Sequence, residues 1–220
     1  LDLIVVNGEN ASHGFGLAPD MADALFQAGA DAIVLGNHSW DRKEIVGYIG
    51  NHPRLLRPVN YPAGTPGAGS VTIELADGRK ALVVQALGQL YMDPLLDSPF
   101  LATREALAKH RLGGTVQAIV LDIHAEASSE KMALGHFCDG RASIVVGSHS
   151  HVPTADARIM SGGTGYQTDA GMCGDYESII GMKPQAAINR FLTKIRTERL
   201  EPADGEATLC GVFVETDDKT

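Results

Sequence analysis

The sequence predicts a layered α/β fold with sheets covered by helices, and three observations carry that expectation. Short, β-branched apolar runs alternate with stretches of helical length and pattern along most of the chain. Turn-forming pairs such as Asp77-Gly78 punctuate the runs. Polar clusters sit immediately after several apolar runs. Strand–helix alternation of this kind, with some antiparallel pieces, places helices on the outer faces of sheets.

Taken in order, the buried strands expected are Leu3–Val6, Ala32–Leu35, Val71–Leu75, Ala81–Leu87, Val116–Ile123, Ile144–Val146 and Cys210–Glu215. Asp77-Gly78 should close Val71–Leu75 and Ala81–Leu87 into an antiparallel hairpin, because glycine supplies the positive φ that a tight turn needs. Helices are expected at Asp20–Ala28, acidic early and stopped by Gly29, and at Arg42–Gly50, N-capped by Asp41 with Ile45, Val46 and Ile49 on one face. Thr103–His110, Ser129–Cys138 and Pro184–Arg196 complete the set. The Pro- and Gly-rich segment Pro58–Gly69 reads as a surface loop rather than a linker. With 220 residues, 44% of them hydrophobic, one core of useful size can form, so residues 1–220 are expected to be a single domain. The chain opens directly on an apolar run without Met, so further residues are expected upstream.

Charge and cysteine usage narrow the function. The formal net charge is −9, from 18 basic and 27 acidic residues, with no basic run. Such a chain lacks the electrostatic footprint for long nucleic acid, while a small anion is still acceptable where bound cations reverse the local field. Cys138, Cys173 and Cys210 form no CxxC pair and suit a reducing cytosol, so a cytoplasmic location is expected. No apolar run approaches the roughly 20 residues of a membrane span, and no membrane partner is expected. Oligomeric state leaves no mark on the sequence, and a homo-oligomer is compatible with it.

The polar clusters carry the chemistry. Asn7-Gly8-Glu9-Asn10, Gly36-Asn37-His38, His124-Ala125-Glu126 and Gly147-Ser148-His149-Ser150-His151 each follow an apolar run. In open α/β sheets the carboxyl ends of neighbouring strands meet at one crevice, so the clusters should converge. Imidazoles, a carboxylate and neutral amide oxygens suit divalent zinc, iron or manganese. His149 and His151 would point the same way in extended chain and could serve adjacent ions. Glu9 is the natural bridge between two cations, across which a shared water becomes a hydroxide nucleophile near neutral pH. His38, projecting at a different angle from Asn37, is placed to donate a proton to a leaving oxygen.

Each residue also has a structural reading. A single His after a strand is ordinarily a packed or exposed histidine; the shared position of His38, His124, His149 and His151 is what favours a site. Glu9 and Asn10 alone could be turn formers. His13, His52, His110 and His136 read as structural or surface residues, His13 the least clearly. Asp122 and Asp169 could hold ligand histidines from behind or cap helices and turns. Arg57 and Arg141 could meet a phosphate by bidentate bonding.

Gly36-Asn37-His38 and Gly147-Ser148-His149-Ser150-His151 resemble the GNH and GHxH motifs of calcineurin-like metallophosphoesterases. The longer strings Asn7-Gly8-Glu9-Asn10, Gly36 to Asp41, His124 to Lys131 and His149 to Asp156 resemble the bacterial YmdB group within that family, over nearly the whole chain. The resemblance implies a metallo-dependent phosphatase-like β-sandwich flanked by helices, a four-layer αββα arrangement. It also implies a di-iron or di-manganese centre and hydrolysis of small phosphodiesters, including 2′,3′-cyclic nucleotides. By motif matching, Glu9 would bridge the metals, Asn37, His124 and His149 would complete one ion, and Asn10 and His151 would serve the other. His38 would be the proton donor. The family's opening strand, ending Gly-Asp with a metal-binding Asp, has no counterpart in this sequence, so truncation at the N-terminus is expected, and a further strand could be lacking at the C-terminus. The alternative to an enzyme is a nucleotide-responsive regulatory binding protein with little turnover; metal-dependent amide hydrolysis is disfavoured by the GNH and GSHSH strings.

Overall fold

The computed structural model describes residues 1–196 and 198–217. Strands β1 (Val5–Asn7), β2 (Ala32–Val34) and β3 (Leu55–Leu56) form an all-parallel three-stranded sheet in that order. A six-stranded sheet contains β4 (Ser70–Glu74), β5 (Lys80–Leu87), β6 (Ala118–His124), β7 (Ile144–Ser148), β8 (Arg158–Ile159) and β9 (Gly165–Gln167), in the order β4-β5-β6-β7-β9-β8. Its middle strands run parallel, while β4 and β8 are antiparallel edges. β10 (Gly174–Asp175) pairs with β11 (Ala207–Thr208) in a separate antiparallel ribbon. The helices are α1 (Pro19–Gln27), α2 (Glu44–Ile49), α3 (Pro99–Ala108), α4 (Ser128–Cys138) and α5 (Pro184–Thr193). No helix among the described residues is long and apolar enough to cross a membrane.

Side-chain alternation decides the layers, since successive residues of a strand face opposite ways. Ile33 and Leu35 face outward and pack with Leu17, Ala22, Ile45 and Ile49 under α1 and α2. Ala32 and Val34 face inward, against Ile73 and Val83 of the larger sheet. On the far side of that sheet Leu82, Val84, Ile119 and Leu121 pack against Leu107 of α3 and Leu134 and Cys138 of α4. The result is the helix–sheet–sheet–helix stack that the family resemblance implies. Burial of each Leu or Ile in these layers is worth about 1.5–3 kcal/mol, which lets the interface tolerate a few polar groups at its end.

One polar group ties the sheets together. Gln85 lies in an otherwise apolar stretch of β5 and is fully buried. Its Oε1 accepts from the Leu35 N–H at 3.0 Å, and its Nε2 donates to the Leu35 carbonyl at 2.7 Å and to Asp122 Oδ2 at 2.8 Å.

Several sequence expectations are corrected. Cys210–Glu215 forms no strand: among the described residues it has no ladder partner, and Phe213 is exposed. β-branched residues alone do not make a strand without a neighbour to pair with. Asp41 does not cap the second helix, which starts after Lys43, because the Asp41 carboxylate is engaged by His38. α3 begins at Pro99, earlier than Thr103, since Ser98 caps it by accepting from Leu101 N and proline suits its first turn. α5 ends at Thr193, where Lys194 turns left-handed at φ 61°. The Asp77-Gly78 hairpin forms as expected, with Gly78 at φ 85°.

Candidate active site

The carboxyl ends of β1, β2, β6 and β7 meet at one edge of the sandwich, and all the clusters singled out in the sequence come together there. His124, the last residue of β6, is fully buried. Its Nε2 lies 3.1 Å from Glu9 Oε2, 2.9 Å from Asn37 Oδ1 and 3.1 Å from His149 Nδ1. Glu9 is 2% exposed, and its Oε1 accepts from the His38 backbone N–H at 2.9 Å. Asn10 and His151 form a second pair, with Asn10 Nδ2 3.3 Å from His151 Nε2.

Proton placement makes the cluster informative. Ser148 Oγ donates to Asp122 Oδ1 at 2.7 Å, so it accepts from His124 Nδ1 at 2.9 Å. Nε2 of a neutral His124 is then a lone pair. It faces a carboxylate oxygen, an amide oxygen and, because His149 Nε2 lies 3.3 Å from Glu126 Oε2, the lone pair of His149 Nδ1. Four lone-pair donors aimed at one another repel unless positive charge lies among them. Likewise His151 Nδ1 donates to the Ile180 carbonyl at 2.9 Å, leaving its Nε2 lone pair beside Asn10, whose Oδ1 is buried without a hydrogen-bond partner among the described residues.

The electrostatics agree. Burial is the largest influence on Glu9 and pushes its pKa up, but attraction to His124, the His124 hydrogen bond and the His38 N–H outweigh it and hold it below the ordinary carboxylate value. Burial pushes His124 down, and Glu9 more than offsets this, leaving it raised. Burial, aided by repulsion from His124, lowers His149 to about 4, so it stays a neutral donor at physiological pH. The centre favours positive charge, held there by a proton on His124 or by a cation.

Glycine makes this crowding feasible. A Cβ on Gly36 would lie 2.3 Å from Glu9 Oε1 and 2.7 Å from His124 Nε2, so only glycine lets this turn approach both. Among the described residues, no three or more His, Cys, Asp or Glu side chains stand spread as a ready cage. The donors touch one another instead, and two amides are among them. Hard oxygen donors beside imidazoles, an orphaned buried amide oxygen and mutually facing lone pairs all fit divalent cations.

His38 stands at the rim. Its Nδ1 contacts Asp41 Oδ2 at 2.7 Å, its side chain is about a third exposed at 31%, and the Phe15 ring packs edge-on against it at 5.7 Å between centroids. Asp41 keeps the proton on Nδ1 when the ring is neutral, so Nε2 is the outward, exchangeable position.

The family model described as YmdB-like protein matches residues 1–220. The chain belongs to the YmdB-like family. It is 48% identical over 216 residues to the 2′,3′-cyclic-nucleotide 2′-phosphodiesterase of Bacillus subtilis (strain 168), a match covering 98% of this chain and 80% of that protein. A crystal structure of a hypothetical protein from Thermus thermophilus superposes with a TM-score of 0.87 at 45% identity, covering 94% of this chain and 79% of that one. A crystal structure of a novel phosphatase from Mycoplasma pneumoniae gives 0.85 at 34% identity, covering 94% and 73%. This YmdB-like chain is a phosphoester-hydrolysing enzyme.

Against that family background, some of the roles expected from the sequence move. Arg57 is not placed for phosphate: it is buried and donates to the carbonyls of Pro58, Thr65 and Gly67, holding its own loop. Arg141 lies before β7, at the end of the sheet away from the site, and covers the Phe137 ring at 4.6 Å. His52 is structural, stacked on Tyr48 with centroids 3.5 Å apart. Asp122 reaches His124 through Ser148, as a supporting carboxylate would. Sequence reasoning read Asp41 only as a helix cap and gave Ser148 and Gln85 no role. The lone Gln inside the apolar run Ala81–Leu87 was the signal for the last.

Proposed function

We propose that this chain hydrolyses small phosphodiesters, with 2′,3′-cyclic nucleotides the first class to test, at the cluster around Glu9 and His124. The observation that carries this reading is the confrontation of His124 Nε2 with Glu9, Asn37 and His149, an arrangement that a cation at its centre would stabilise. Asn37, His124 and His149 would hold one divalent ion, Asn10 and His151 another, with Glu9 between them. Iron or manganese is favoured and zinc accepts the same donors. Such ions supply Lewis-acid polarisation of phosphoryl oxygens and activation of water near neutral pH.

The chain's own residues do the rest. Glu9, fixed by the His38 N–H, would offset repulsion between two such cations. Ser148 and Asp122 hold the His124 ring in one tautomer, which orients its free nitrogen. His38, steadied through Nδ1 by Asp41, presents Nε2 to protonate the departing ribose oxygen. The acidic surface steers long polyanions away and leaves small esters as substrates. Free thiols at Cys138, Cys173 and Cys210 support a reducing, cytoplasmic setting.

The test is turnover of 2′,3′-cyclic AMP by chelator-treated protein, before and after addition of Mn²⁺ or Fe²⁺, with Glu9→Gln alongside. Metal-restored hydrolysis that Glu9→Gln lacks supports the reading. Tight nucleotide binding with no product after long incubation would instead favour a regulatory binding protein.

A further inference from the structure

The segment carrying His149 and His151 has an unusual backbone. Both histidines adopt left-handed φ, 99° and 65°, where side chains other than glycine are strained. A segment of this kind keeps its shape only when surrounding contacts over-determine it. The residue between them, Ser150, gives its N–H to Asp169 Oδ2 at 3.0 Å. The same Oδ2 accepts from Lys131 Nζ at 2.7 Å, and both side chains of that ion pair are 1% exposed. Asp169 Oδ1 accepts from Gly171 N at 2.9 Å, fixing the facing strand exit.

Lys131 also shapes the start of the segment. A Cβ on Gly147 would lie 1.8 Å from the Thr168 carbonyl oxygen and 2.9 Å from Lys131 Cδ, so the lysine stem and the neighbouring chain fill the space that glycine leaves. Lys131 comes from α4, directly after the stretch that carries Glu126 beside His149.

We propose that Lys131 and Asp169 are positioning residues: their buried ion pair holds the left-handed His149–His151 segment so that both imidazoles face the Glu9, His124 and Asn10 donors. This rests on the reading above for the identity of the donors, but the backbone claim stands apart from it. Neither residue reaches the substrate. A carboxylate is required at 169 because it has two accepting oxygens, one for Ser150 N and one for Gly171 N. An amide has one, and its NH₂ would oppose one of those donors. Removing only the lysine would leave a buried carboxylate without its charge partner, which costs more than losing the pair together.

The experiment compares wild type, Lys131→Met, Asp169→Asn and the double variant with Leu107→Ala, a core truncation on the buried face of α3 that lowers stability without touching the site. Two readouts are taken: amide hydrogen exchange of residues 147–153 in metal-free protein, and Mn²⁺ affinity by electron paramagnetic resonance. The single variants are expected to exchange in that segment at least 10-fold faster than Leu107→Ala and to bind Mn²⁺ at least 10-fold more weakly. The double variant should regain stability over Lys131→Met but not Mn²⁺ affinity. If Lys131→Met fails to fold, the double variant carries the same comparison. Exchange no faster than in Leu107→Ala overturns the proposal, as does wild-type Mn²⁺ affinity in the variants. A wild type that neither binds Mn²⁺ nor turns over substrate would count against the proposed function, while the exchange readout still judges the ion pair.

Discussion

Gln85 in the larger sheet satisfies both backbone groups of Leu35 in the smaller one, accepting at 3.0 Å and donating at 2.7 Å across the sandwich interface. Leu35 immediately precedes Gly36-Asn37-His38, so this amide sets where the second site loop leaves its sheet. Gln85→Leu would keep the volume but strip the Leu35 C=O of its bond from Gln85, leave the Leu35 N–H on the Leu56 carbonyl at 3.1 Å, and remove a donor to Asp122. At about 1–3 kcal/mol per buried group left without its partner, a loss of roughly 1–3 kcal/mol in urea denaturation is expected. A variant as stable as wild type would show that the tie is dispensable.

His38 and Asp41 form the second testable relationship, with Nδ1 and Oδ2 2.7 Å apart. His38→Ala should lose about 10²–10⁴-fold in kcat on a cyclic nucleotide, the usual range for a positioned acid. The loss should be much smaller on an aryl phosphodiester with an acidic phenol, whose leaving oxygen needs no proton. Asp41→Asn should fall between wild type and His38→Ala. Equal losses on both substrates would remove His38 from the proton-donor role.

Gly36→Ala tests the crowding at the centre. The added methyl would enter the space of Glu9 Oε1 and His124 Nε2, at 2.3 and 2.7 Å. Misplacement of catalytic groups by an ångström can cost about 100-fold in rate, so kcat/KM should fall by that order, with less metal retained per chain by elemental analysis. The φ of Gly36 is not in the left-handed region, so the effect would be steric rather than conformational.

Asp156 offers a pH test away from the site. Burial pushes its pKa up, but hydrogen bonds from the Thr168 and Thr154 hydroxyls and the Thr168 N–H outweigh this and bring it to about 2, against an ordinary 3.8. A depressed carboxylate pKa gives stability that is present above the unfolded value and lost as pH falls through the folded one. The Tm gap between wild type and Asp156→Asn should therefore be fully open above about pH 4 and should narrow as pH falls toward 2. A gap that stays constant across that window would show that the charge on Asp156 contributes nothing.

Much of this protein was legible in one dimension because strand period and glycine chemistry are local. The buried strand at Ala32–Leu35, the hairpin at Asp77-Gly78, and the placement of Glu9, Asn37, His124 and His149 after apolar runs are all written in residue order. What residue order could not decide depends on partners distant in sequence. Cys210–Glu215 has the composition of a strand but, among the described residues, no neighbour to pair with, since a strand's hydrogen bonds lie outside itself. Asp41 could have capped a helix or held a histidine, and only the folded position of His38 chose between them. The same is true of Lys131 and Asp169, 38 residues apart, whose charges become a buried pair only when α4 packs beneath the loop after β7. Local sequence sets which conformations and chemistries are available; desolvation and contact across the fold decide which of them each side chain adopts.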